Sequence, residues 1–162
     1  MTVTIRPYLP ADRDAALAIC IAAFTPIHEG FRAALGETIF ALHYPDWQGG
    51  YANMFDALAE DDGRTEVFVA EADGEIAGFC FAILDAGTKT GEVGLNAVAP
   101  AQQRRGVGRR LYEHALARLK ARGAEIAYVG TGGDAAHEPA RRAYEALGFD
   151  RVIPAVHYYR EL

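Results

Sequence analysis

Three β-rich runs, Glu66–Ala70, Glu75–Leu84 and Gly91–Val98, follow one another with short connections, and they constrain the fold more than any other stretch. Asp73-Gly74, between the first two, suits a two-residue hairpin whose central positions both need positive φ. Runs joined so briefly pair antiparallel, so the middle of the chain reads as a meander. Beyond it the period changes. Leu111, Ala115 and Leu119 recur every four residues within a predicted helix, Gly108–Arg122, and Gly123 stands at its C-terminal cap. Ile126–Val129 is a short strand, and Pro139 opens a helix that puts Ala140, Tyr144 and Leu147 on one face before Gly148 ends it. Arg151–Tyr159 reads as a last strand.

The first third is helical after one strand. Thr2–Arg6 alternates and is closed by Pro7 and Pro10; Asp12 is placed to cap a helix whose apolar face is Ala15–Phe24. Thr25-Pro26 is expected to stop that helix, because proline disfavours the helical region in the residue before it. Between His28 and Glu60 the pattern is helical but interrupted at Gly36, Pro45 and Gly49-Gly50, which predicts two short helices. The fold class expected is α/β (α+β): a mixed, mostly antiparallel twisted sheet flanked by helices.

At 162 residues, with no linker or repeat, a single domain over 1–162 is expected. A net charge of −6 argues against general nucleic-acid or membrane-surface binding. Ala15–Phe24 is well short of the ~18 apolar residues a membrane span needs, and the start lacks a signal-peptide pattern, so a cytoplasmic location is expected. Cys20 and Cys80 sit in apolar runs without metal-ligand spacing, which predicts buried, reduced thiols and no metal.

Against that acidic background, Gln103-Arg104-Arg105-Gly106-Val107-Gly108-Arg109-Arg110 is a local anomaly. Cations at a helix start oppose the dipole by ~0.3–1 kcal/mol each, so the segment calls for a bound anion. Its glycines let backbone N–H groups approach phosphate-like oxygens. A plain strand-to-helix connection is the alternative. Neither common nucleotide fingerprint fits, for there is no Gly-Lys-Ser/Thr and Leu111 stands where a dinucleotide loop needs its third glycine.

The segment resembles the Gln/Arg-x-x-Gly-x-Gly/Ala signature of the GCN5-related N-acetyltransferases (GNAT). Glu92-Val-Gly-Leu-Asn-Ala-Val-Ala-Pro100 is similar to that family's fourth strand, and Pro139-Ala-Arg-Arg-Ala-Tyr-Glu-Ala-Leu-Gly-Phe149 to its late helix. The resemblance implies an acyltransferase that uses acetyl-CoA and acetylates a primary amine by direct attack in a ternary complex. It implies that the backbone amides of Arg104, Arg105, Gly106, Val107, Gly108 and Arg109 hold the pyrophosphate of coenzyme A, with Gln103 also binding the cofactor. Ala97 and Val98 would pair with the pantetheine arm, the Val98 amide also polarising the thioester carbonyl. Tyr144 would meet the departing thiolate, and Glu92 would serve as base for the amine. His137 stands where many relatives carry an asparagine that contacts the arm.

Each assignment has a plainer counterpart. Tyr144 at helical spacing suits a core aromatic, Glu92 an exposed strand residue or ion-pair partner, His137 a helix cap, and Arg109 and Arg110 solvated charges. His28 and Glu29 border the family's acceptor site but also suit a polar loop. Tyr44, Trp47 and Tyr51 read as a satellite core before an acceptor wall, and His157, Tyr158 and Tyr159 as ordinary strand residues or an acceptor border. The acceptor expected is a small-molecule amine; a peptide or protein amine, and a silent acyl-CoA-binding sensor or interaction domain, are the alternatives. The resemblance is also compatible with a homodimer.

Overall fold

The computed structural model describes residues 2–162, and its sheet runs β1 (Val3–Pro7), β2 (Thr65–Ala72), β3 (Glu75–Asp85), β4 (Thr90–Val98) and β5 (Ile126–Tyr128) in spatial as well as chain order. The first four strands are antiparallel neighbours, and β5 lies parallel to β4. Asp73 and Gly74 turn the β2–β3 hairpin with φ of 54° and 84°, the double positive φ that the sequence predicts. In β4, Val93 faces Ala82 and Asn96 faces Cys80, so Gly94 and Leu95 share the single position opposite Phe81. That is a β-bulge.

Helix α1 (Arg13–His43) and α2 (Trp47–Asp56) cover one face of the sheet, where Ile19, Cys20 and Phe55 pack on Val67, Val69, Phe79, Phe81 and Ala97. On the other face, α3 (Val107–Ala121) sets Leu111, Ala115 and Leu119 against Phe68, Ala70, Cys80 and Val93, and α4 (Glu138–Ala146) adds Tyr144. Among the described residues no helix is long and apolar enough to cross a membrane.

Three local expectations are corrected. The first helix does not stop at Thr25-Pro26; α1 runs through Pro26 and breaks its helical geometry at Gly36, with φ 76° and ψ 164°. An interior proline costs ~3 kcal/mol, yet Ala16, Ile19 and Cys20 before it and His28 and Phe40 after it are all buried, and that packing outweighs the local preference. Asp12 does not cap α1 with its side chain. Its carboxylate instead accepts from the two terminal guanidinium nitrogens of Arg6 at 2.7 and 2.9 Å and from the Leu9 N–H at 2.8 Å, tying β1 to the start of the helix. Finally, Arg151–Tyr159 forms no strand. Val152, Ile153, Val156 and Tyr158 are exposed; Pro154 has no N–H to give a ladder, and β5, three residues long, offers little edge to join.

Candidate functional site

The turn into α3 is built as an anion cradle. Gly106 sits at the N-cap with φ 80° and Arg104 adopts φ 59°, and such left-handed positions fold successive N–H groups toward one concavity. The helix's own bonding begins with the Arg110 N–H on the Gly106 carbonyl, at 3.2 Å. Among the described residues, the N–H groups of Arg104 through Arg109 therefore have no protein acceptor. Val107 and Leu111, both buried, fix this end of α3 to the sheet. The approach is close enough that a Cβ at Gly78 would lie 2.7 Å from the Ala97 carbonyl oxygen and 3.2 Å from Leu111 Cδ1.

The arginine side chains have other duties. Arg110 donates to the Val3 carbonyl at 3.0 Å, Arg109 pairs with Glu113 at 2.7 Å, and Arg105 donates to Gln102 at 2.9 Å. Arg104, at the tip, alone of the four has no side-chain partner among the described residues. The cradle is thus mainly backbone.

Next to it, β4 parts from β5. The two pair only at Thr90–Ile126, Gly91–Ala127 and Glu92–Tyr128, so β4 has an open edge from Val93 to Val98. The Ala99 N–H bonds to the Ala77 carbonyl at 2.9 Å, toward β3. Strand alternation then turns Ala97 toward β3 as well and the backbone of Val98 into the opening. The Val98 carbonyl accepts from Gln103 Nε2 at 3.4 Å, which links the open edge to the cradle.

On the α3–α4 face of this opening, Tyr144 is buried and its hydroxyl accepts from Asn96 Nδ2 at 3.3 Å. Asn96 Nδ2 also donates to the Gly94 carbonyl at 2.8 Å, and Asn96 Oδ1 accepts from the Tyr112 hydroxyl at 2.7 Å. Burial raises the Tyr144 pKa above the ordinary phenol value, while the neighbouring Asn96 amide and Tyr112 hydroxyl pull it down. Burial likewise raises that of Tyr112. Sequence periodicity finds Tyr144 but not Asn96 or Tyr112, since a straight strand would put Asn96 on the same face as Glu92.

Glu92 occupies the last β4–β5 rung, on the α1–α2 face, and its Oε2 accepts from the Tyr128 hydroxyl at 3.0 Å. Its cross-strand neighbour Ile83 lines a groove of about 570 Å³ with Tyr8, Met54, Leu58 and Phe81, rimmed by Glu60, Asp61 and Asp62. Glu92 and Tyr144 therefore reach the opening from opposite sides of the sheet. His137 ends a 3-10 turn, Ala135–His137; its side chain makes no cap bond to α4, and its Nδ1 lies 2.6 Å from Asp134 Oδ2. Its ring sits 6.3 Å from that of Phe31 on α1.

Phe31 belongs to an aromatic cluster centred on His28, which stacks on Trp47 at 4.1 Å and meets Tyr44 and Tyr51 edge-on. Glu29 beside it is exposed. The ring of Tyr159 lies 5.2 Å from that of His43, whereas Tyr158 is open to solvent. Cys20 and Cys80 are free and buried, and burial pushes both thiols up to about 12.

Residues 32–149 match the model of the acetyltransferase (GNAT) family. The chain is 36% identical over 154 residues to the mycothiol acetyltransferase of Tsukamurella paurometabola, and 32% identical over 155 residues to that of Streptomyces avermitilis. Each alignment covers 91% of this chain, but only 48% and 42% of those relatives, so the chain spans about half the length of the curated relatives it matches. Among solved structures, the aminoglycoside N-acetyltransferase AAC(6')-Iy in complex with CoA superposes with a TM-score of 0.70 at 16% identity, over 99% of this chain and 96% of that one. The Escherichia coli ribosomal-protein-S18-alanine N-acetyltransferase gives 0.67 at 22% identity, over 94% and 80%. At such identities the superpositions speak for the fold.

Proposed function

The chain belongs to the acetyltransferase (GNAT) family, and from that premise we propose that it moves an acetyl group from acetyl-CoA to a primary amine of a small molecule, by direct attack within a ternary complex. The observation that carries this reading is the run of six acceptor-free N–H groups, Arg104 to Arg109, beside the unpaired edge of β4. Donors pointing into one concavity at a helix N-terminus suit a pyrophosphate, and a strand edge beside them suits the amide-bearing arm of coenzyme A. A solved relative of the same fold, AAC(6')-Iy, binds CoA, which supports the assignment.

Bound acetyl-CoA would supply an acetyl group activated as a thioester. In this reading, the cradle from Gln103 to Arg109 fixes the cofactor and Val98 presents its N–H to the carbonyl oxygen as charge gathers there. His137, held by Asp134, borders the arm from the other side. The amine enters from the α1–α2 face, where the groove has an apolar floor and a carboxylate rim, a lining that favours a cation with a hydrocarbon body. Glu92, with Oε1 outside its bond to Tyr128, accepts the amine's proton directly or through water. Tyr144 donates its hydroxyl proton toward the departing sulfur. Two thiols held near 12 and buried are unsuited to carry an acyl group, which favours direct transfer.

The test is thiol release from acetyl-CoA with a panel of amines, alongside calorimetric binding of CoA. Amine-dependent release above hydrolysis is expected, with mono- and diamines bearing a hydrocarbon body as the better acceptors. CoA binding without turnover on any small amine or peptide would instead support a silent sensor, and failure to bind CoA would overturn both.

A further inference from the structure

The three side chains Asn96, Tyr112 and Tyr144 form a chain of hydrogen bonds whose direction can be read without ambiguity. The Gly94 carbonyl can only accept, so the Asn96 atom 2.8 Å from it is the nitrogen. The opposite atom is then the amide oxygen, and the Tyr112 hydroxyl, 2.7 Å away, must donate to it. The second Asn96 N–H points at the Tyr144 hydroxyl, which accepts at 3.3 Å. With its oxygen accepting from Asn96, Tyr144 keeps its own proton, and among the described residues its hydroxyl forms no hydrogen bond as donor.

We propose that Asn96 is a positioning residue for the acyl transfer: backed by Tyr112, it occupies the acceptor side of the Tyr144 hydroxyl and so presents the Tyr144 proton to the departing sulfur. This rests on the role given to Tyr144 in the proposed function. Asn96 turns its nitrogen rather than its oxygen to the Tyr144 hydroxyl, the oxygen being engaged by Tyr112 on its other side, so Asn96 offers the Tyr144 proton no acceptor. Each donor in the series also polarises the next, Tyr112 to Asn96 to Tyr144, and donation to the Tyr144 oxygen stabilises the charge it acquires as its proton moves outward. The position is made by the bulge. Gly94 and Leu95 shift β4 by one residue, and that shift turns Asn96 to the face where Tyr112 and Tyr144 lie.

Four variants of the full chain test this: Tyr112→Phe, Asn96→Ala, Asn96→Asp and Tyr144→Phe. Tyr112→Phe is the decisive one, since it deletes a single hydroxyl and leaves the Asn96 contact to Gly94 in place. It should lower kcat roughly five-fold with the KM for acetyl-CoA unchanged, and the loss should vanish in a Tyr144→Phe background. Asn96→Asp, a carboxylate that accepts from Tyr144 rather than donating to it, should cost about ten-fold or more.

Equal losses with and without Tyr144, or a rise in KM alone, would overturn the proposal. An independent readout is the ultraviolet titration of tyrosinate, with Tyr144 assigned by difference from Tyr144→Phe. Its ionisation should move to higher pH in Asn96→Ala, and no movement would overturn the network even in an inactive protein. If Tyr144→Phe retains full kcat, the role of Tyr144 in the proposed function fails, while this titration still decides whether Asn96 orients the hydroxyl.

Discussion

His28 shows how a single buried ring sets a pH dependence. Its side chain is 6% exposed, its Nδ1 has no hydrogen-bond partner among the described residues, and its Nε2 lies 3.5 Å from the Tyr51 hydroxyl. Burial lowers its pKa below the ordinary histidine value, so the native state keeps the ring neutral where an unfolded chain would protonate it. The sign follows by linkage. The contribution is fully present above about pH 6.5 and is lost as pH falls from there toward the lowered native value. Denaturant midpoints measured between pH 5 and 8 should therefore fall on the acid side, and His28→Phe, which keeps the stack on Trp47, should flatten that slope. An unchanged slope in the variant would show that another group sets it. The aromatic residues of this cluster are visible in the sequence, but their common centre is not, because Tyr44, Trp47 and Tyr51 come from beyond the break in α1 and the connection that follows it.

Two elements behave against their local signals. Pro26 inside α1 forfeits the helical hydrogen bond to the Ala22 carbonyl, and the nearby Thr25 hydroxyl does not replace it, since it donates to the Ile21 carbonyl at 2.7 Å. Pro26→Ala should accordingly stabilise the fold by ~1–3 kcal/mol, read from urea unfolding; a destabilised variant would mean the helix needs the proline's geometry. The turn before α3 makes the opposite point, that local signals can be decisive. Gly106 at φ 80° tolerates no L-residue without strain, so Gly106→Val should weaken CoA binding about ten-fold or more by calorimetry. Arg109→Ala, which removes a side chain already paired with Glu113, should cost less than about three-fold. Comparable losses would mean that the guanidinium, rather than the backbone, holds the anion. The hairpin at Asp73-Gly74, the meander and the α3 turn are legible because glycine placement and strand period report directly on backbone dihedrals. Helix α1 and the unformed last strand are not, since packing across the sheet in one case and the want of a pairing edge in the other decide them.

Across the whole molecule, charge and topology divide the labour. The chain carries a net −6, yet four arginines gather at the cradle and three carboxylates rim the groove on the far face. A cationic acceptor should feel the acidic field more than the cofactor feels its backbone donors. Raising NaCl from 20 to 200 mM should then increase the KM of a diamine several-fold and that of a neutral-bodied monoamine less, measured at saturating acetyl-CoA. Equal changes for both would argue against charge recognition in the groove. The bulge in β4 carries a consequence for kinship as well. Strand β4 is written in two reading frames, one up to Val93 and the other from Asn96 onward, with Gly94-Leu95 as the frameshift. Deleting either residue would remove the extra position and leave Asn96 and Ala97 on the faces they now occupy, whereas straightening the strand with both residues kept would carry Asn96 onto the α1–α2 face and Ala97 onto the other. Among relatives of this chain, a one-residue gap at that point keeps the chemistry on both faces, and a strand of full length paired without the bulge exchanges it.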